Sequence, residues 1–187
     1  WLDGSDGLCG GVSLIALLTI FFLALKPEVN QPAFAIIAAS GAGAVSGFLL
    51  FNLPPARIFA GTTGSMFLGF LLAFLATAAG TKIATALLVL VLPIADAFYV
   101  ILERLWSGKS VFRGDQRHLH HKLKRLGWSN GRITFALLSF TGIVALLALE
   151  TRAESKFFAL AGVFLVAFLL SVVVAKRSDQ VSNLSNS

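Results

Sequence analysis

Two aspartates stand close together at the start of the chain, where they could bind a metal ion. Asp3 and Asp6 lie three positions apart among glycines, in the segment Asp3-Gly4-Ser5-Asp6-Gly7. Carboxylate oxygens are ligands that Mg²⁺ prefers, and glycines allow a tight turn close to a ligand. The alternative is a turn before a helix, with Asp6 near the helix N-terminus, where a negative charge is favourable.

The three histidines of the chain lie within four residues, at His118, His120 and His121. The basic residues around them are Arg113, Arg117 and Lys122. Such a cluster favours recognition of a phosphate or pyrophosphate group. The alternatives are zinc, for which no cysteine or acidic residue completes a known spacing, and contact with anionic lipid headgroups. In a helix, His118 and His121 would share a face and His120 would point elsewhere.

A third polar segment covers residues 52–65, beginning at Asn52. Its two adjacent prolines are expected to end a helix. The small residues 61–65 then predict a loop at the start of the next helix, where free backbone N–H groups can hold a phosphate. The alternative is an ordinary turn in which Thr63 or Ser65 caps that helix.

One further carboxylate, Asp96, lies inside an apolar stretch, three residues after Pro93. An ionisable side chain in a membrane needs a partner or a function. A basic residue of the long polar segment that follows, for instance Arg104, is the expected partner.

Apolar helices must position these residues. Of the 187 residues, 57% are hydrophobic and 13% charged, and the mean hydropathy is +0.85. Soluble domains have about 45–50% apolar and about 25% charged residues. This composition also excludes a disordered chain, and the single cysteine, Cys9, excludes a disulfide framework. The chain is therefore expected to be an integral membrane protein.

Continuous apolar runs predict an all-α, polytopic bundle of about six transmembrane helices, since a span needs about 20 apolar residues. The predicted spans are about 8–26, 33–53, 64–80, 83–102, 133–150 and 157–175. We expect a single membrane domain over residues 1–187. Within it, residues 103–132 form a basic, histidine-containing cytoplasmic loop and residues 176–187 form a cytoplasmic tail.

The second predicted span carries small residues at four-residue spacing, at Ala39, Gly43 and Gly47. Small residues at this spacing let two helices approach closely in a lipid bilayer. We therefore expect this face to pack against another helix.

The distribution of Lys and Arg predicts the orientation, because cytoplasmic loops carry the excess. One side holds eleven such residues: Arg57, Arg104, Lys109, Arg113, Arg117, Lys122, Lys124, Arg125, Arg132, Lys176 and Arg177. The other side holds four: Lys26, Lys82, Arg152 and Lys156. The eleven-residue side, with both chain ends, is expected to face the cytoplasm. The net charge of +6 then reflects topology, and we do not expect nucleic-acid binding.

These motifs, in this order, resemble the polyprenyl-phosphate N-acetylhexosamine-1-phosphate transferase family. The matching patterns are Asp-Gly-x-Asp-Gly-Leu at 3–8, Phe-Asn-x-x-Pro-Ala-x-Ile-Phe-x-Gly and Gly-Ser-x-x-Leu-Gly-Phe within 51–70, Leu-Pro-x-x-Asp at 92–96, and Asp-x-x-His-Leu-His-His at 115–121. The His-x-His-His form is similar to the undecaprenyl-phosphate GlcNAc-1-phosphate transferase branch rather than the peptidoglycan branch.

The resemblance implies a bacterial inner-membrane enzyme that starts a cell-envelope polysaccharide such as lipopolysaccharide. A UDP-sugar, with UDP-GlcNAc expected, would give its sugar-1-phosphate to undecaprenyl phosphate, and UMP would leave. The implied cofactor is Mg²⁺, with Mn²⁺ as an alternative. A cation and basic groups would offset the repulsion between the two phosphorylated substrates.

The resemblance also implies roles for individual residues. Asp3 and Asp6 would be catalytic and metal-binding carboxylates. The residues implied in substrate binding are Asn52, Arg113, Arg117, His118, His120 and His121.

Two departures from the family pattern leave an alternative open. The chain has no adjacent Asp pair, and Thr62 stands where the family has a metal-binding Asp. Family members also have roughly twice as many spans, so the chain, which starts at Trp1 without a signal-peptide pattern, is expected to be the C-terminal half of a longer fold. The alternative function is a catalytically inactive membrane protein that still binds a nucleotide-sugar.

Overall fold

The computed structural model describes residues 4–78, 83–106, 108, 118–151 and 153–185. Its helices are α1 (Leu8–Leu25), α2 (Pro32–Asn52), α3 (Gly61–Ala78), α4 (Ile83–Val89), α5 (Val91–Trp106), α6 (Leu119–Arg125), α7 (Asn130–Glu150) and α8 (Ala153–Ser185). Five of them are long and apolar enough to cross a membrane, and α4 with α5 forms a bent sixth candidate. The predicted all-α, multi-pass membrane architecture is confirmed.

Helix α1 forms the centre of the bundle and packs against α2, α3, α4 and α7. Two of its glycines allow close approach by neighbouring helices. A Cβ atom on Gly11 would lie 2.6 Å from the side chain of Leu138, and one on Gly10 would lie 2.9 Å from that of Leu49. Because α1 is apolar around its whole circumference, it fits a position surrounded by other helices.

The small residues of α2 do not pack as the sequence predicted. Ala39, Gly43 and Gly47 are exposed in this chain, and no described residue outside the α2 backbone has an atom within 4 Å of a Cβ built on either glycine. The buried face of α2 instead includes Ala38 and Ala42, which lie one position earlier. Close approach to α1 is provided by the glycines of α1, so the predicted packing role was wrong here.

The fourth predicted span is not a single straight helix. Helices α4 and α5 meet at a bend of 70°, and Leu90 separates them. Pro93 is the third residue of α5 and has no N–H to donate to the carbonyl of Val89, which ends α4. A proline in this position breaks or bends a helix, so the expectation of one continuous span was wrong.

Helical structure also extends into the regions predicted as loop and tail. Helix α5 continues to Trp106, α6 lies within the predicted long loop, and α8 continues to Ser185. Helix α8 packs against α5 and α6. Helix α8 thus lies beside the helix that carries His120 and His121.

Candidate functional site at one end of the bundle

Asp6 lies in a turn directly before α1, and Gly7 makes this turn possible. Gly7 has a φ of 72°, a region that glycine occupies without steric cost. A Cβ there would lie 3.2–3.4 Å from Leu53, Thr134 and Pro54. The Thr134 hydroxyl donates a 2.7 Å hydrogen bond to the backbone carbonyl of Asp6. Helix α7 therefore holds the backbone of this turn.

Asn52, the last residue of α2, joins the turn containing Asp6 to the segment between α2 and α3. Its Oδ1 accepts a 3.1 Å hydrogen bond from the Gly7 N–H. Its Nδ2 donates a 2.7 Å hydrogen bond to the Ile58 carbonyl. The side chain is buried, so these contacts position the turn containing Asp6 against the segment between α2 and α3.

The carboxylate of Asp6 has two longer contacts. Its Oδ2 accepts from the Ala56 N–H and from Nδ2 of Asn130, each at 3.4 Å. The sequence analysis did not select Asn130 or Thr134. The available signal was their position in the first two turns of a span that starts on the same predicted side as Asp6.

The segment between α2 and α3 is shorter than the sequence predicted, because its last residues belong to helix α3. Residues 61–65 were expected to form a phosphate-binding loop, but they are the first turn of α3, which begins at Gly61. Ser65 does not cap this helix, since its hydroxyl donates to the carbonyls of Gly61 and Thr62 at 2.9 and 3.1 Å. Thr62 is exposed.

The three histidines form one cluster. The ring centroids of His118 and His120 are 6.1 Å apart, and those of His120 and His121 are 4.1 Å apart. The expectation that His120 points away from the others was wrong. His118 precedes α6 and has an extended backbone, with ψ 153°, so the helical spacing rule does not apply across it.

His120 is buried and adjoins the first motif. A Cβ on Gly4 would lie 2.9 Å from His120 Nε2 and 3.9 Å from His121 Nε2. Burial, followed by the charges of His121 and His118, lowers the pKa of His120 to about 3. This imidazole is therefore neutral at ordinary pH. At position 4, any residue larger than glycine would place its Cβ too close to this ring.

Asp96 connects the bent helix to the histidine cluster. It is fully buried in α5, and its Oδ2 lies 3.0 Å from His118 Nδ1. Its Oδ1 accepts a 2.9 Å hydrogen bond from the Leu119 N–H. The sequence suggested a basic residue such as Arg104 as the partner, and the residue that pairs with Asp96 here is His118.

Lys122 has a structural position rather than the phosphate-binding position that the sequence suggested. Its Nζ donates a 2.9 Å hydrogen bond to Glu103 Oε2 and lies 4.2 Å from the centroid of the Tyr99 ring. The Lys122 side chain is 3% exposed. Its charge is therefore already neutralised within the protein, and it fastens α6 to α5.

Three predicted site residues, Asp3, Arg113 and Arg117, lie outside the described residues. The others fall into two groups that meet at Gly4. One group contains Asp6 and Asn52, and the other contains the three histidines. Segments far apart in sequence thus converge at one end of the bundle, formed by the starts of α1, α6 and α7 and the end of α2.

Comparisons with known proteins agree with this arrangement of motifs. The sequence profile of glycosyl transferase family 4 matches residues 1–80. The decaprenyl-phosphate N-acetylglucosaminephosphotransferase of Mycobacterium leprae is 34% identical over 174 residues, which cover 81% of this chain and 44% of the relative. The chain belongs to glycosyl transferase family 4. The resemblance inferred from the motifs is therefore confirmed.

Other members of glycosyl transferase family 4 show the same partial coverage. A probable undecaprenyl-phosphate N-acetylglucosaminyl 1-phosphate transferase of Bacillus subtilis is 28% identical over 92% of this chain and 49% of its own length. A phospho-N-acetylmuramoyl-pentapeptide-transferase of Symbiobacterium thermophilum is 35% identical over 70% of this chain and 39% of its own length. The chain spans about half the length, or less, of these curated relatives.

The donor groups of this family member fit a hard cation that is bound mainly through its substrate. Asp6 offers a half-buried carboxylate whose contacts are long, and Thr62 offers an uncharged hydroxyl. Within the described ranges, no three His, Cys, Asp or Glu side chains converge as a metal site. Mg²⁺ commonly binds one or two carboxylates together with substrate phosphates, so the carboxylate of Asp6 is chemically suited to this kind of site.

Replacing Gly4 with alanine should disturb the contact between the two groups. The new Cβ would overlap the buried ring of His120, and such overpacking costs about 1–3 kcal/mol. We expect a lower melting temperature in a detergent thermal-shift assay. Gly43→Ala is the matched control, because its Cβ would meet no atom within 4 Å and alanine favours the helix. Equal melting temperatures for the two variants would contradict the close contact.

Proposed function

We propose that this chain carries part of the active site of a polyprenyl-phosphate sugar-1-phosphate transferase. The convergence of the Asp6 turn and the histidine cluster at Gly4 supports this proposal most directly. An oxygen of the polyprenyl phosphate attacks the sugar-linked phosphorus of a UDP-sugar. The bond from this phosphorus to UMP breaks, and the products are a polyprenyl-pyrophosphate sugar and UMP. We propose GlcNAc-1-phosphate as the transferred group.

The proposed roles follow the chemistry of each group. Asp6 and Asp3 present carboxylate oxygens to Mg²⁺ or Mn²⁺, which supplies positive charge to offset the repulsion between the phosphates. The nucleotide-sugar binds near His118, His120 and His121, with Arg113 and Arg117 as anion-binding groups. Asn52 acts by positioning, since both ends of its amide bond within the protein.

Exposed cations near Asp6 support anion binding at this end of the bundle. Arg57 follows Ala56, and Arg132 lies two residues after Asn130, and both Ala56 and Asn130 contact Asp6. Both arginines are exposed. Arginine binds phosphate oxygens with two parallel hydrogen bonds, so these residues suit the pyrophosphate better than the buried Lys122 does. We propose that this end faces the cytoplasm, because the predicted loops on this side carry the excess of Lys and Arg.

The test is a transfer assay with the chain in lipid nanodiscs that contain undecaprenyl phosphate. UDP-GlcNAc and Mg²⁺ are added, and the release of UMP and the formation of glycolipid are measured. Transfer supports the proposal directly. The second candidate, a nucleotide-sugar-binding membrane protein without activity, is favoured by Thr62 and predicts binding by calorimetry without release of UMP. Absence of both binding and transfer would contradict both functions.

Replacing Thr62 with aspartate should strengthen binding of the divalent cation. A carboxylate adds one negative charge and a better Mg²⁺ ligand than a hydroxyl. We expect the Mn²⁺ affinity, measured by electron paramagnetic resonance, to rise by about tenfold or more, which corresponds to about 1.4 kcal/mol. Thr63→Asp adds the same charge to the same exposed helix turn and serves as the control. An equal gain in both variants would indicate a general charge effect rather than a ligand position.

A further inference from the structure

Helix α7 contacts Asp6 at two points, one on its backbone and one on its side chain. The Thr134 hydroxyl donates to the Asp6 carbonyl at 2.7 Å, and Nδ2 of Asn130 donates to Asp6 Oδ2 at 3.4 Å. Residues four positions apart lie on the same face of a helix, and Asn130 and Thr134 have this spacing in α7. One face of α7 therefore holds both the turn and its carboxylate.

The hydrogen bonds to the Asp6 carboxylate fall on one of its two oxygens. Oδ2 accepts from Asn130 Nδ2 and from the Ala56 N–H, each at 3.4 Å. Among the described residues, no donor bonds to Oδ1. Each contact is long and restrains the carboxylate weakly, but the two donors come from different elements, α7 and the segment between α2 and α3. Together they favour one orientation, in which Oδ1 is the oxygen left for a further ligand.

This pattern has a consequence for the binding of a cation. Carboxylates that bind a metal ion are commonly hydrogen-bonded by neighbouring groups, which fix their orientation. Mg²⁺ requires nearly octahedral coordination, whereas Ca²⁺ has flexible coordination and accepts a carboxylate through one oxygen or both. A carboxylate that already uses one oxygen to accept two N–H groups is suited to bind a cation through the other oxygen alone. Such an arrangement favours Mg²⁺ over Ca²⁺.

We propose that Asn130 is a positioning residue that holds Oδ2 of Asp6, so that Oδ1 alone binds the divalent cation. This inference rests on the proposed function, from which it takes the cation-binding role of Asp6. It gives helix α7 a part in the site, and it predicts that the site prefers Mg²⁺ to Ca²⁺.

The contact itself can be measured without a cation. The chain is made by cell-free synthesis with ¹³C-aspartate and ¹⁵N-asparagine and placed in phosphatidylcholine nanodiscs. Solid-state NMR then measures the dipolar coupling between Asp6 Cγ and Asn130 Nδ2, with Asp6→Asn and Asn130→Gln variants to assign the two signals. We expect a clear coupling in the unmodified chain. If this coupling is missing, the inference is overturned.

Cation affinities test the positioning role. Mn²⁺ binding is followed by electron paramagnetic resonance, Mg²⁺ and Ca²⁺ affinities are obtained from displacement of Mn²⁺, and the Asp6→Asn variant gives the background. Asn130→Leu removes the donor at similar side-chain size. We expect Mn²⁺ and Mg²⁺ affinities about tenfold lower in this variant, as for the loss of other groups that hydrogen-bond to metal ligands. Ca²⁺ affinity should fall less, because its coordination is more flexible.

Ser129→Ala is the matched control at the same end of α7. Ser129 caps the helix by accepting a hydrogen bond from the Arg132 N–H, so its loss should lower the melting temperature and leave the cation affinities unchanged. Equal losses of affinity in the two variants, or an equal fall for Mg²⁺ and Ca²⁺ in Asn130→Leu, overturn the inference. Normal binding in Asn130→Leu overturns this inference alone. If Mn²⁺ binding to the unmodified chain does not exceed that of Asp6→Asn, the proposed cation role of Asp6 fails, and the positioning role fails with it.

Discussion

The Asn52→Ala variant is expected to unfold with a free energy about 2–4 kcal/mol lower than that of the unmodified chain. The substitution leaves the buried Gly7 N–H without its acceptor and the partly buried Ile58 carbonyl without its donor. Each buried polar group that loses its hydrogen bond costs about 1–3 kcal/mol. We therefore place Asn52 among the residues whose loss most affects the stability of this end of the bundle.

Reversible unfolding of purified variants in mixed detergent micelles measures this difference. Ser40→Ala is the control on the same helix, because the exposed Ser40 hydroxyl donates its hydrogen bond to the carbonyl of Ile36 within α2. We expect a change below about 0.5 kcal/mol there, as for other exposed substitutions. Calorimetry should also show weaker UDP-GlcNAc binding for Asn52→Ala, since the Asp6 turn loses its support. A stable Asn52→Ala variant would mean that this amide does not hold the two motifs together.

The second large effect is a loss of stability in acid that depends on His120. The pKa of His120 falls from 6.5 to about 3 in the folded chain, first because of burial. The unfolded chain therefore binds a proton below pH 6.5 that the folded chain does not bind until about pH 3. The contribution is fully present above pH 6.5 and is lost progressively as the pH falls toward 3, by up to about 1.4 kcal/mol per pH unit.

Comparison with His120→Gln isolates this contribution from the carboxylates that titrate in the same range. Glutamine has similar size and no proton to bind between pH 6.5 and 3. Unfolding free energies of both proteins are measured across this range, and their difference is plotted against pH. We expect the difference to shrink or reverse in acid, because only the unmodified chain loses the His120 contribution. Parallel pH profiles would show that His120 binds its proton equally well in the folded chain.

The sequence predicted the membrane helices well because a membrane span depends mainly on the hydropathy of its own residues. Five of the predicted spans agree with observed helices to within a few residues at most ends, since each is a continuous apolar run bounded by polar or turn-forming residues. The exception is the segment containing Pro93. Its hydropathy is that of a span, and the missing N–H of one residue, which hydropathy does not register, divides it into α4 and α5.

The convergence of Asp6, Asn52 and the histidines on one end of the bundle could be anticipated from topology. Which atoms touch could not, because this depends on helix rotation and on local backbone angles. The helical spacing rule placed His120 away from the cluster, and it failed because His118 lies outside α6. Lys122 carries a positive charge that could bind phosphate. Only the three-dimensional packing shows that Glu103 already neutralises this charge.

The small-residue stripe of α2 illustrates the same limit. Its spacing is a general signal for close helix contacts, yet Gly43 is exposed in this chain and the close contacts are made through Gly10 and Gly11 of α1. A spacing rule identifies where approach is possible. It does not say which neighbour, if any, uses it.

The contacts of α5 with α6 also limit how this segment can change in length. Asp96, Tyr99 and Glu103 are spaced by three and four residues, so they lie on one face of α5, and each contacts α6 or His118. Each added residue rotates the rest of a helix by about 100°. A single insertion between Asp96 and Glu103 would turn one attachment away while the other stayed in place. Gaining or losing one residue in this stretch would therefore release either His118 or α6 from α5, whereas a substitution away from this face would leave both contacts in place.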